Sequence, residues 1–147
     1  LRMSGKVDDC LTAPQEQAVI EAIRMAEALT SGEIRVHLES HCDEPIKRAQ
    51  ELFHLLKMDH TKEENGILFY IAVEDKKFAL IGDKGIHSRV GESFWGTVRD
   101  VVLSRFCENE FQNGLVAGIG LVGKELAAYF PWNEDDKNEL SDDITVS

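Results

Sequence analysis

The sequence predicts an α/β fold, a three-layer α/β/α sandwich built around a small mixed β-sheet. A strand, a helix and a second strand follow one another between residues 33 and 73, an order that requires parallel strands and a right-handed crossover. The second strand is the continuous apolar run 67–73, a composition typical of a strand covered by helices on both faces. A short polar turn then returns the chain antiparallel as a third strand.

The first helix and the first strand have clear boundaries in the sequence. Thr12 and Gln15 have the spacing of a capping box, so we expect a helix to begin there and to end near Gly32. Apolar and polar residues then alternate over residues 34–39, the pattern of a half-buried strand. Strand one therefore follows directly from helix one.

The remaining elements complete the layers of the sandwich. Pro45 opens helix two, and residues 78–81 form strand three. Two further helices begin near Glu92 and Gly114, and Pro131 closes the second of them. That last helix contains four glycines, which disfavour a helix unless a neighbouring helix packs close to the backbone.

Composition divides the chain into three parts. We expect residues 1–11 to be a disordered or cloning-derived N-terminus and residues 12–131 to be the folded domain. Residues 132–147 carry many acids and few large apolar side chains. This composition predicts a flexible acidic tail that is dispensable for folding.

Charge and cysteine usage narrow the functional classes. The 27 acidic and 16 basic residues give a net charge of −11, which argues against nucleic acid as a partner and favours divalent cations or basic proteins. The same charge can serve solubility alone.

The three cysteines are far apart, which argues against a disulfide framework and a thiolate zinc site. Without an apolar run of membrane-spanning length or a signal peptide, we expect a cytoplasmic protein without membrane insertion.

The predicted topology brings acidic and amide side chains to one edge of the sheet. The starts of strands one and two and the end of strand three meet there, and these carry Glu33, Glu64, Asn65 and Asp83. Their oxygens are suitable ligands for Ca²⁺ or Mg²⁺, so we predict a metal site formed by Glu33, Glu64 and Asp83, with Asn65 as a further candidate. The alternative is that acids collect at strand ends without binding anything.

The turn after strand three could also hold an anion. Lys84 and the backbone N–H of Gly85 are the predicted anion-binding groups. A phosphatase could then use a water on the metal as the attacking group. Ser31 lies nearby, but the sequence places no histidine beside it, which argues against a serine nucleophile.

Four segments at these turns resemble the successive signatures of the TPM domain family, and the resemblance spans residues 12–131. The segments are TSGEIRV at 30–36, ENGIL at 64–68, GDKG at 82–85 and FQNGL at 111–115. The resemblance implies an αβα sandwich. It also implies divalent-cation binding, weak acid phosphatase activity or a role in the maintenance of membrane proteins.

Two functions are therefore compatible with the sequence. The first is a divalent-cation-binding domain of the TPM type with at most weak phosphatase activity. The alternative is a non-catalytic interaction module that uses its acidic surface or its glycine-rich helix to bind a protein partner.

Overall fold

The computed structural model describes residues 11–132 and 144–146 of the chain. Within them the elements are α1 Ala13–Glu27, β1 Glu33–Glu39, α2 Pro45–Leu55, β2 Gly66–Ala72, β3 Lys77–Gly82, α3 Lys84–His87, α4 Glu92–Cys107, α5 Phe111–Tyr129 and β4 Thr145–Val146. The predicted α/β class is confirmed. Two elements, α3 and β4, are absent from the sequence-based prediction.

The strands form one mixed sheet in the order β3-β2-β1-β4. β1 and β2 are parallel, with Glu33 opposite Gly66, and β2 and β3 are antiparallel, with Ile67 opposite Gly82. Both strand directions confirm the prediction made from the crossover helix and the short turn. The register places the starts of β1 and β2 beside the end of β3.

Helices cover both faces of the sheet. Ile67 and Phe69 of β2 face the larger core, which α1, α4 and α5 complete. Leu68 and Tyr70 face the smaller core on the other side, which α2 completes. Alternation along β2 therefore separates two cores, and together with the sheet they make the predicted three layers.

The expectation that β1 is half-buried is wrong. All seven residues of the strand are buried, including Arg35, His37 and Glu39 on the face that was expected to meet water. That face lies beneath α2, whose Arg48 reaches Glu39 with an Nε to Oε1 distance of 2.8 Å. Alternating polarity cannot distinguish a wet face from a face whose polar groups are paired in the interior.

The turn predicted after β3 is instead the start of a one-turn helix. Asp83 has extended backbone, and its side chain accepts a hydrogen bond from the Lys84 N–H, as a helix N-cap does. A single turn is too short to produce an apolar stripe, so periodicity could not have revealed α3.

The C-terminal end of the predicted acidic tail packs against the domain. Ile144 is completely buried in the larger core, and Thr145 and Val146 pair in parallel with His37 and Leu38 of β1. The rest of the predicted tail, residues 133–143 and residue 147, lies outside the described residues, as do residues 1–10 of the predicted disordered N-terminus. At its N-terminal end, the structure extends the packed domain by one residue, because Leu11 belongs to the core.

Candidate functional site

The sheet edge predicted from the sequence exists and is held by the backbone. The Glu33 N–H donates to the Asn65 carbonyl oxygen at 3.3 Å, and the Asp83 N–H donates to the Gly66 carbonyl oxygen at 3.0 Å. Glu33, Gly66 and Asp83 therefore form one row across three strands. Adjacent strands lie about 4.8 Å apart, so the backbones of Glu33 and Asp83 are separated by about 10 Å.

Both carboxylates of this row are withdrawn from water. Glu33 is 3% exposed and Asp83 is 7% exposed. Burial of charged carboxylates is costly unless hydrogen bonds, opposite charges or metal ions compensate. Asp83 is compensated at Oδ1, which accepts from the Lys84 N–H at 2.8 Å, whereas its buried Oδ2 has no hydrogen-bond partner among the residues described.

Asn65 presents a second buried oxygen at the same edge. Its side chain is almost completely buried, and its Nδ2 donates to Ser31 Oγ and to Glu63 Oε2, both at 3.2 Å. Its Oδ1 accepts no hydrogen bond from any part of the chain that the structure describes. Asn65 and Asp83 therefore each have one buried oxygen that accepts no hydrogen bond from the described residues.

Glu63 and Ser31 complete the surroundings of Asn65. The Ser31 hydroxyl donates to Glu63 Oε2 at 2.5 Å, so the two side chains and the Asn65 amide form a closed set of hydrogen bonds. The sequence suggests Ser31 only as a possible nucleophile and gives no signal that Glu63 belongs to the site. Residues 63–65 lie next to one another, but their spacing alone could not show which side chain turns towards Ser31.

The side chain of Glu64, the third predicted carboxylate ligand, takes a different direction. Glu64 has a positive φ of 53°, and its Oε2 lies 3.2 Å from Lys84 Nζ. Within residues 11–132 and 144–146, no three His, Cys, Asp or Glu side chains are grouped so that they could hold a metal ion. The geometry thus brings Glu33, Asn65 and Asp83 to one edge, with Glu64 paired to Lys84 beside them.

The backbone N–H groups of the predicted anion site already have partners within the chain. The N–H of Lys84 is bonded to Asp83, and the N–H of Gly85 donates to the Glu64 carbonyl oxygen at 3.0 Å. A Cβ at position 85 would lie 2.2 Å from the Glu63 carbonyl oxygen, so Gly85 is needed for close backbone packing. Its N–H is therefore not available to an anion, and of the two predicted groups only the Lys84 ammonium remains.

A second polar group lies under α2, further along β1. Glu39 accepts hydrogen bonds from Arg48 and from the Tyr70 hydroxyl, and His37 Nε2 lies 3.6 Å from Glu39 Oε1. Burial raises the pKa of Glu39, but the bonds from Arg48 and Tyr70 outweigh it and leave the pKa below its usual value. Burial raises the pKa of Tyr70 strongly, so this hydroxyl remains a donor.

Comparisons with known proteins agree with this architecture. A family model described as the TPM domain matches residues 6–125. The solution structure of the BA42 protein from the psychrophilic bacterium Bizionia argentinensis is 50% identical and superposes with a TM-score of 0.87. This match covers 93% of this chain and 95% of BA42. No curated protein matches the chain.

Two more distant solution structures show the same fold. The N-terminal domain of a protein from P. gingivalis has a TM-score of 0.65 at 19% identity, with coverage of 82% of this chain and 79% of that one. The N-terminal domain of cg2496 from Corynebacterium glutamicum has a TM-score of 0.55 at 13% identity, with coverage of 87% and 73%. Among the described helices, none has the length and apolar character needed to cross a membrane.

Proposed function

The chain belongs to the TPM domain family, and we propose that it binds a divalent cation, Ca²⁺ or Mg²⁺, at the sheet edge formed by Glu33, Asn65 and Asp83. The observation that carries this proposal is the pair of buried oxygens, Asn65 Oδ1 and Asp83 Oδ2, that lack donors among the described residues. A buried acceptor without a partner costs about 1–3 kcal/mol. A cation bound to both oxygens would remove that cost.

The chemistry of the donors supports a hard cation. Carboxylate and amide oxygens are the ligands that Ca²⁺ and Mg²⁺ prefer, at about 2.0–2.6 Å, and these are the groups that Glu33, Asn65 and Asp83 provide. Glu33 and Asp83 approach from strands on either side of β2, so one ion between them would also neutralise two buried like charges. Main-chain carbonyl oxygens or water would fill the remaining positions.

Glu64 can join this site at small cost. Its carboxylate is held by Lys84, whose side chain is 83% exposed, and such surface ion pairs contribute about 0–1 kcal/mol. Exchange of Lys84 for a cation would therefore require little energy. In this proposal Glu64 is a ligand of the loaded protein, whereas Asn65 and Asp83 are in place beforehand.

Phosphatase activity would be weak at most. A bound divalent cation can polarise a phosphate oxygen and activate water. Among the residues predicted for anion binding, however, Lys84 is the one with a cationic group to offer, since the backbone N–H groups of residues 83–85 are already bonded. Hydrolysis of p-nitrophenyl phosphate with and without Mg²⁺ would measure this activity.

The proposal predicts that calcium stabilises the protein through Asp83. At a hundredfold excess over the dissociation constant, binding adds about 2.7 kcal/mol to the free energy of unfolding, a rise of about 8 °C in Tm for a chain of this length. The Asp83→Asn variant keeps an oxygen for the N-cap of α3 but loses a charged ligand. It should lose most of the rise, and its metal-free Tm should equal or exceed that of the wild type because repulsion with Glu33 is reduced.

The matched control is Asp100→Asn, which removes an equal charge from an exposed position on α4. It should retain the full response to calcium. The proposal is wrong if wild type and Asp83→Asn respond alike, or if sodium chloride of equal ionic strength produces the same rise in Tm.

A further inference from the structure

The orientation of the Asn65 carboxamide is set by two neighbours that can only accept. The Glu63 carboxylate carries no hydrogen, so the atom that faces its Oε2 at 3.2 Å must be the Asn65 Nδ2. The Ser31 hydroxyl gives its single hydrogen to Glu63, so it too must accept from Nδ2. A flipped amide would place Oδ1 against two oxygens, which is unfavourable.

This arrangement fixes the direction of the Asn65 amide oxygen. With Nδ2 held on the side of Ser31 and Glu63, Oδ1 points to the opposite side, where it is buried and has no donor among the described residues. The backbone of Asn65 is fixed as well, since its N–H donates to Thr61 Oγ1 at 3.1 Å and its carbonyl oxygen accepts from the Glu33 N–H. Both ends of the residue are therefore immobilised before any ligand arrives.

We propose that Ser31 and Glu63 are positioning residues that aim the Asn65 side-chain oxygen, Oδ1, at the cation, an inference that rests on the proposed function. Neither residue touches the ion in this proposal. Ligands held by hydrogen bonds to surrounding groups bind metals more tightly, and loss of such a bond commonly weakens affinity by about 10- to 100-fold. Preorganisation explains why a neutral amide can serve beside two carboxylates.

The Ser31 variants test this without a change of charge. Calcium alone is titrated into the full chain, and its dissociation constant is read from backbone amide shifts and from the side-chain Nδ2 resonances of Asn65. Ser31→Ala removes one of the two acceptors and should weaken binding by about fivefold. Ser31→Thr retains the hydroxyl and should restore the affinity to within about twofold of the wild type.

Glu63→Gln provides a second, independent variant. A glutamine can donate to Oδ1, so the Asn65 amide is no longer held in one orientation, and calcium binding should weaken by about tenfold. Because this variant also removes a charge, the comparison is made at 0.05 M and about 0.5 M sodium chloride. A loss caused by long-range charge alone would largely disappear at high salt, whereas a loss caused by amide orientation would persist.

The outcomes separate this inference from the proposed function. If wild type shows no saturable response to calcium, the cation site itself is wrong and the positioning role falls with it. If wild type binds calcium and both Ser31→Ala and Glu63→Gln bind it equally well, the site stands and the positioning role is wrong. Equal weakening by Ser31→Ala and Ser31→Thr would also overturn it, because the hydroxyl would then not be the cause.

Discussion

At the scale of single residues, the buried His37 of β1 is hydrogen-bonded to Thr145 of β4, and this bond determines which ring nitrogen carries the hydrogen. Thr145 Oγ1 donates to the Val36 carbonyl oxygen at 3.2 Å, so it must accept the hydrogen of His37 Nδ1, which lies 2.7 Å away. A second proton on the ring would therefore bind at Nε2, next to Glu39. Burial, together with the charges of Arg48 and Arg35, outweighs the attraction of Glu39 and lowers the pKa of His37 to about 4.

This shift predicts a loss of stability in mild acid. Between pH 6.5 and about 4 the unfolded chain binds a proton at His37 that the folded chain does not, so the free energy of unfolding falls as the pH falls. The slope should approach about 1.4 kcal/mol per pH unit, with a total of about 3 kcal/mol. The lowered pKa of Glu39 adds a further loss only below about pH 4.5.

Urea unfolding of His37→Asn between pH 7 and 4.5 would measure the contribution of His37. An asparagine amide can still donate to Thr145, so the variant should fold and should lose most of the slope. His54→Asn, at a ring that is 78% exposed and lies 3.0 Å from an Asp59 carboxylate oxygen, should change the slope much less, because exposed ion pairs contribute little to stability. A slope that survives in His37→Asn would mean that another group titrates in this range.

Among the elements, α5 shows how glycine serves close packing. A Cβ at Gly118 would lie 2.6 Å from Val102 Cγ2 on α4, and a Cβ at Gly123 would lie 2.7 Å from Ala26 Cβ on α1. The helix can therefore approach both neighbours only because these positions lack side chains. This confirms the expectation that a neighbouring helix compensates for the glycines, except at Gly120, where a Cβ would meet nothing within 4 Å.

The two kinds of glycine predict opposite effects of alanine. Gly120→Ala should raise the free energy of unfolding by about 1 kcal/mol, because alanine favours the helix and no neighbour must move. Gly118→Ala should lower the free energy of unfolding by about 1–2 kcal/mol, because overpacking against Val102 outweighs the higher helix propensity of alanine. Equilibrium urea unfolding would measure the free energy of unfolding of both variants. If both substitutions stabilise the protein, α4 and α5 can move apart to make room for a methyl group, and the packing argument is wrong.

For the whole molecule, the sequence is sufficient to predict the sheet and the residues at its edge, but it does not predict where their side-chain atoms point. The crossover helix and the turn before β3 determine strand direction, so the juxtaposition of Glu33 and Asp83 followed from topology. Side-chain direction at the edge depends on a positive φ at Glu64 and on the partners of Asn65, which periodicity does not encode. Periodicity also does not reveal that the polar face of β1 is buried, and it does not predict β4, a strand of only two residues.

The role of the C-terminal residues is a prediction for the whole fold. Ile144 fills a fully buried position, and Thr145 and Val146 add a strand to β1 and a hydrogen bond to His37. Loss of a buried isoleucine side chain commonly costs about 2–5 kcal/mol. A chain that ends at residue 143 should therefore be less stable by at least about 3 kcal/mol, which corresponds to a fall of about 10 °C in Tm.

Removal of residues 144–147 leaves the number of charged side chains unchanged, so a general charge effect cannot explain such a fall. Ile144→Ala in the full chain should reproduce most of it, and Ile144→Val should cost only about 1 kcal/mol because it deletes a single methylene. Melting curves of the three variants would establish this order. If the shortened chain melts within two or three degrees of the wild type, β4 does not contribute to stability, and the acidic segment is dispensable to its last residue.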